Sequence, residues 1–190
     1  MGNAIFRIIG ASNHIPEDRQ TEDYYATNPI AAEILLKEET FNKEIWECAC
    51  GEGHLSKVFS ENNYNVTSSD LINRGYGEIF DFLSTENKEW NGDIITNPPY
   101  ALAKDFILKA LSIIPSGNKV AMFLKLTFLE SQARKEMFIK NPPKTLYVSS
   151  SRIQCAKNGD FELYPSSAIA YGWYVWEKGF DGNTIIKWIN

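Results

Sequence analysis

Apolar positions along the chain follow two periods, and the two alternate. Short apolar runs bounded by turn formers read as buried strands: Ile45–Glu47, Val66–Asp70, the end of a third at Ile79–Leu83, Asp93–Thr96, Lys119–Leu126, Leu146–Ser149 and Ser167–Trp176. Between them, apolar residues three and four apart predict helices at Ile30–Leu36, Leu55–Ser60, Ala101–Ile114 and Phe128–Ile139. Asn28 is a good cap and Pro29 a good first residue for the first of these, and Pro115-Ser116-Gly117 closes the third. Strands alternating with helices build a parallel, doubly wound α/β sheet. Residues 1–23 show neither period and form an arm or extension ahead of a domain at 24–190; an arm that reached the chemistry would bring Asn13 and His14 to a substrate. Residues 150–166 read as a long loop carrying Arg152, Lys157, Phe161 and Tyr164, either a plain hairpin connection or an insertion that steers a base.

Composition narrows the class. With 190 residues, 44% of them hydrophobic, the chain fills one domain. No apolar run approaches the ~20 residues that cross a bilayer, and no leader-like start precedes the domain, so a reduced cytoplasm is the expected home. Three cysteines, two of them at Cys48 and Cys50, and two histidines, His14 and His54, supply neither a disulfide framework nor a metal-ligand spacing. No metal is expected. The net charge of −5 hides a division: residues 1–100 carry 7 Lys and Arg against 17 Asp and Glu, whereas residues 101–157 carry 10 against 3. A basic stretch of that kind is either a solvated helix face or the seat of a polyanion.

The basic stretch begins just after Asn97-Pro98-Pro99-Tyr100, which follows the Asp93–Thr96 run. Asn97 precedes a proline and is held out of the helical region, while the two prolines remove two N–H donors. What remains is an acceptor-rich corner: the Asn97 side-chain oxygen and the Pro98 carbonyl can take the two N–H bonds of one conjugated amine, with Tyr100 as a flat surface beside it. Holding both bonds frees the nitrogen lone pair for attack. A second Asn-Pro-Pro, at Asn141-Pro142-Pro143, is followed by Lys144 and lacks the aromatic surface; it reads as a loop.

Three further stretches precede the corner. Glu47-Cys48-Ala49-Cys50-Gly51-Glu52-Gly53 is a strand-to-helix turn whose alternate glycines permit positive φ and close approach of a ligand. It lacks the third glycine of a dinucleotide fingerprint and the Lys of a P-loop. Asp70 ends the next strand, where a carboxylate reaches ribose hydroxyls in doubly wound sheets, and Leu71 follows it. Asp81 and Phe82 read either as an adenine contact or as a cap and a core residue.

Taken along the chain, Tyr24–Pro29, Glu47–Gly53, Asp70, Asp81–Phe82 and Asn97–Tyr100 resemble motifs X, I, II, III and IV of the amino-methyltransferases that use S-adenosylmethionine, and the whole is similar to the small phage-type DNA adenine-N6 enzymes. The motif X resemblance implies that the Tyr24, Tyr25 and Thr27 hydroxyls meet the cofactor carboxylate. The resemblance implies a class I, Rossmann-like fold with a seven-stranded mixed sheet whose last strand is antiparallel. It implies S-adenosylmethionine held by Tyr24, Tyr25, Thr27, Glu47, Cys48, Ala49, Gly51, Gly53, Asp70, Leu71, Asp81, Phe82 and Asn97, and catalysis by Asn97, Pro98, Pro99 and Tyr100. Lys104, Lys125, Arg134, Lys135 and Arg152 are then the expected contacts to DNA, or to RNA. No block of about a hundred residues is available for target recognition, so specificity is short, loop-based, absent or supplied by a protein partner. Alternatives from other classes are an RNA adenine methyltransferase, a protein-glutamine methyltransferase of the release-factor type, and a noncatalytic module with a catalytic partner.

Overall fold

Strand β5 (Asp93–Thr96) organises the molecule because it is buried from end to end. The computed structural model describes residues 25–85, 89–157 and 169–190. Around β5 the described elements run, in chain order, β1 (Tyr25–Thr27), α1 (Ile30–Glu38), β2 (Glu44–Glu47), α2 (His54–Glu61), β3 (Asn65–Asp70), β4 (Glu78–Ile79), then β5, α3 (Ala103–Ile113), β6 (Lys119–Lys125), α4 (Gln132–Lys140), β7 (Thr145–Ser149), β8 (Cys155–Lys157), β9 (Tyr171–Glu177) and β10 (Ile185–Ile189). The main sheet has the order β10-β7-β9-β6-β5-β2-β3-β4, and β1 and β8 form a separate antiparallel pair.

Neighbours in the main sheet are parallel except around β9, which runs antiparallel to both β6 and β7. This is the expected mixed α/β sheet with one addition: an eighth strand, β10, parallel to β7. The pattern did not reveal β10 because Ile185, Ile186, Lys187 and Trp188 are all exposed and only Ile189 is buried. An edge strand with two open sides has no inside-outside alternation to read. Three other boundaries moved. The third strand shrinks to Glu78–Ile79, because Asp81 accepts the Leu83 N–H through its side chain and turns the chain. The helix expected at Phe128–Ile139 splits into a 3-10 turn, Leu126–Leu129, and α4, because Ser131 caps the Ala133 N–H. The helix expected at Ala101–Ile114 likewise opens with a 3-10 turn, Tyr100–Leu102, in which Leu102 N–H reaches the Pro99 carbonyl.

β9 is buried on both faces and ties the layers together through the polar tips of its aromatic residues. Trp173 Nε1 donates to the Ala31 carbonyl of α1 at 2.8 Å, and Trp176 Nε1 donates to the Asn141 carbonyl after α4 at 3.0 Å. The amino edge of the sheet is closed by charge. Asp93 accepts the backbone N–H of Asn42 at 2.6 Å and of Lys119 at 2.7 Å, while Lys119 Nζ meets Glu39 Oε1 at 2.6 Å and the Tyr147 hydroxyl donates to Glu39 Oε2 at 2.7 Å.

Partial burial raises the Glu39 pKa, but the Lys119 and Tyr147 hydrogen bonds outweigh it and the value falls below the ordinary 4.5. A lowered carboxyl pKa gives stability that is present above 4.5 and is lost as pH falls through the folded value. Glu39→Gln is therefore expected to cost about 1–3 kcal/mol at pH 7, with the difference from wild type shrinking as pH falls below 4.5. Urea unfolding at pH 7 and in that acid range measures it, and an equal deficit at both would contradict this account.

Candidate active site

Because β6, β5, β2 and β3 are parallel neighbours, their carboxyl ends share one edge, each about 4.8 Å from the next. Lys125, Asn97, Glu47 and Asp70 stand in spatial order at those strand ends. In open α/β sheets this is where ligands bind.

The Asn97 corner is built from three parts of the chain. Asn97 leaves β5 half-buried, and its Nδ2 donates to Thr27 Oγ1 at 2.7 Å. Thr27 is the last residue of β1 and stands opposite Cys155 of β8. The Tyr100 hydroxyl donates to Cys155 Sγ at 3.7 Å, and the Tyr100 ring lies 5.9 Å from that of Tyr171, tilted by 32°. Lys125 Nζ sits 4.5 Å from the centre of the Tyr100 ring. Burial pushes the Tyr100 phenol well above its ordinary pKa and lifts the Cys155 thiol to about 11. Both stay protonated at neutral pH.

The residues expected around a cofactor divide. The Asp70 carboxylate accepts from Gly51 N–H at 2.8 Å and from Ile72 N–H at 3.0 Å, so it fixes the glycine turn, and Leu71 beside it is 63% exposed. Gly51 and Gly53 take φ of 54° and 77°. At Gly53 a Cβ would fall 2.4 Å from the Tyr76 ring, so the bare backbone there admits Tyr76. Cys48 is buried and Ala49 half-buried beside the same turn. Glu47 does not open onto the edge: it is 2% exposed, and its carboxyl takes the Ser56 hydroxyl of α2. Phe82 is a core residue, 2% exposed, with its ring 5.2 Å from Trp46 and 5.0 Å from Phe106. Asp81 is exposed and holds its own turn. The backbone of Tyr25 pairs with Lys157; Asn13, His14, Tyr24, Phe161 and Tyr164 lie outside the described residues.

The basic residues also divide. Lys125 belongs to the corner itself. Arg134 turns inward, donating through Nε to the Phe128 carbonyl at 2.8 Å and through Nη2 to the Glu130 carbonyl at 3.0 Å, with its guanidinium 4.4 Å from the Phe128 ring. Lys104 Nζ donates to the Ala133 carbonyl at 3.2 Å. Lys135 and Arg152 are exposed. Cys155 and Tyr171 were missed by sequence reasoning: neither has a local signal, and only the β1–β8 and β6–β9 pairings bring them to Tyr100. Among the described residues no cluster of His, Cys, Asp and Glu could hold a metal ion, and no helix is long and apolar enough to cross a membrane.

No protein-family model matches the chain, and no curated protein matches it. Solved structures do match in fold. A Listeria monocytogenes chain assigned as a class I S-adenosylmethionine-dependent methyltransferase aligns with a TM-score of 0.56 at 14% identity, over 84% of this chain and 62% of its own. A Vibrio vulnificus chain assigned as the modification subunit of a type I restriction enzyme aligns at 0.57 and 14%, over 90% of this chain and 48% of its own. An Agrobacterium tumefaciens chain assigned as an O-methyltransferase aligns at 0.59 and 13%, over 85% of each. The fold is thus that of the class I methyltransferases. This chain spans less than two thirds of the first two.

Burial pushes the Glu47 carboxyl up to about 8 against the opposing Ser56 hydrogen bond. A raised carboxyl pKa gives stability that is full below 4.5 and is lost as pH rises through the folded value. Glu47→Gln, which mimics the protonated acid, is expected to match wild type near pH 4.5 and to melt at a higher temperature above pH 8. Thermal melts across that range test it; a variant that is less stable at high pH would show that the charged form is the one the fold prefers.

Proposed function

We propose that the protein transfers a methyl group from S-adenosylmethionine to the exocyclic N6 amine of adenine in DNA. The observation that carries the reading is the Asn97 amide at the carboxyl end of β5, with Nδ2 held by Thr27 and Oδ1 therefore facing the other way. An amide fixed in that sense has its oxygen, and not its nitrogen, on the side away from Thr27.

The edge also suits the cofactor. On its β2–β3 side the edge carries the Asp70 carboxylate, an acceptor that matches the ribose hydroxyls of S-adenosylmethionine and would repel a pyrophosphate. Asp70 orders the Gly51 backbone, and the exposed Leu71 supplies an apolar face for adenine. The buried Glu47 acts at one remove, holding α2 to β2 through Ser56. When bound, S-adenosylmethionine supplies an electrophilic methyl group. The chain's own part is to hold the amine: Asn97 Oδ1 and the Pro98 carbonyl accept its two N–H bonds, Pro99 keeps the corner extended at φ −53° and ψ 122°, and Tyr100 supports the base. The base must leave any duplex to reach this position. The nitrogen's surplus proton is lost to water after transfer.

Lys135 and Arg152 on the surface, with Lys104 and Lys125 nearer the corner, are the proposed phosphate contacts, and Arg134 supports them by fixing the Leu126–Leu129 turn. Within 24–190 the candidates for target choice are short loops, with a protein partner, or no specificity at all, as the other readings. The resemblance to small phage-type enzymes supports a bacterial cytoplasm as the site of action.

Asn97→Ala is expected to keep cofactor affinity and to lose about 10²-fold or more in turnover, the scale of one preorganised polar contact. Mass spectrometry of reacted DNA should find N6-methyladenine, more readily at unpaired or mismatched adenine. Methylation of RNA or of a Gly-Gly-Gln protein instead, or near-normal turnover by the variant, would overturn the assignment.

DNA affinity should also fall with salt, by about 0.9 in log K per log salt for each phosphate contacted on duplex DNA. Lys135→Ala should flatten that slope equally on all sequences, because phosphates position without specifying. A salt-insensitive affinity would remove DNA as the substrate.

A further inference from the structure

Thr27 reaches the site from outside the main sheet. β1 and β8 form their own antiparallel pair, with Thr27 opposite Cys155 and the Asn28 N–H donating to the Gln154 carbonyl at 3.1 Å. The Thr27 side chain is 3% exposed. Its oxygen accepts from Asn97 Nδ2, and across the pair the Tyr100 hydroxyl donates to Cys155 Sγ. With its lone pairs toward Asn97, the Thr27 hydroxyl is satisfied by the amide in one orientation, NH2 toward Thr27.

We propose that Thr27 is the positioning residue of the catalytic amide, and that the β1–β8 pair acts as a clamp which sets Asn97 and Tyr100 together through Thr27 and Cys155. The proposal rests on the function assigned above, and it gives Thr27 a different task from the cofactor-carboxylate contact expected from the sequence. The two tasks separate experimentally, since one acts on turnover and the other on cofactor affinity. Without the clamp the amide is free to flip and present NH2 to an amine that is itself a donor.

The test compares Thr27→Val, which keeps the shape and removes the acceptor, with Thr27→Ser, which keeps the hydroxyl, in the full chain. Three quantities are read: kcat and KM on adenine-containing DNA, S-adenosylmethionine affinity by calorimetry, and the Asn97 side-chain NH2 resonances in 15N spectra, assigned by their loss in Asn97→Asp. Thr27→Val is expected to lower kcat about tenfold or more, the effect of slight misplacement in a reacting site, with cofactor affinity unchanged and the Asn97 resonances shifted. Thr27→Ser should match wild type in all three. Weakened cofactor binding with kcat preserved would make Thr27 a cofactor ligand and overturn the proposal, as would Asn97 resonances that do not respond to Thr27→Val. Should Thr27→Val fail to fold, Cys155→Ala removes the partner of the Tyr100 hydroxyl; it is expected to lower kcat at unchanged cofactor affinity, and an unchanged kcat would overturn the clamp. If wild type methylates no adenine, the function assigned above fails, and the 15N comparison still decides whether Thr27 holds the amide.

Discussion

The site depends on β5 being unable to move. Ile94, Ile95 and Thr96 are fully buried, so a slip of one residue would carry apolar side chains to the wrong face of the sheet. Asp93 fixes the entry by binding the backbone of both Asn42 and Lys119, and Pro98 and Pro99 end the ladder by removing the donors that would extend it. Asn97 is left at one definite height between β2 and β6. The chemistry proposed for it needs that immobility, because an acceptor that shifts by an ångström no longer opposes the developing charge.

The elements that could be read from sequence are those whose environment is decided locally. β5, β6 and α3 each bury a regular set of positions, and the parallel order then places Gly51, Asp70 and Asn97 at one edge without further information. What could not be read was decided by distant packing. Glu47 and Phe82 have the residue types of ligand contacts, yet Ser56 in one case and Trp46 and Phe106 in the other draw them inside. Cys155 and Tyr171 have no signal at all until β8 and β9 find their partners. The exposed β10 escaped for the opposite reason: nothing covers it to impose a pattern.

Charge shows the same division between residue type and environment. The basic balance of residues 101–157 suggested one cationic surface, but several of its members serve the fold. Lys119 closes the amino edge with Glu39, Lys144 pairs with Glu177 at 2.6 Å, and Arg134 binds backbone carbonyls. A cation held by a carboxylate adds little to the field that a polyanion meets. The electrostatic case for nucleic acid therefore rests on fewer residues than the count implies, chiefly those near the corner.

Lys125 is the most informative of these, because it stands where a base would stack. The Tyr100 hydroxyl is anchored to Cys155, so the ring cannot swing aside, and the ammonium lies 4.5 Å from its centre. A cation over an aromatic ring gains roughly 0.5–2 kcal/mol, whereas a base stacked on one gains roughly 1–3 kcal/mol. On the proposed reading, an incoming adenine on that face exchanges the weaker contact for the stronger. The displaced ammonium, on a flexible stem, then has the nucleotide's own phosphate as its nearest opposite charge. Cation and base thus compete for one surface, and the exchange favours the nucleotide because it alone brings both a stacking face and a counter-charge.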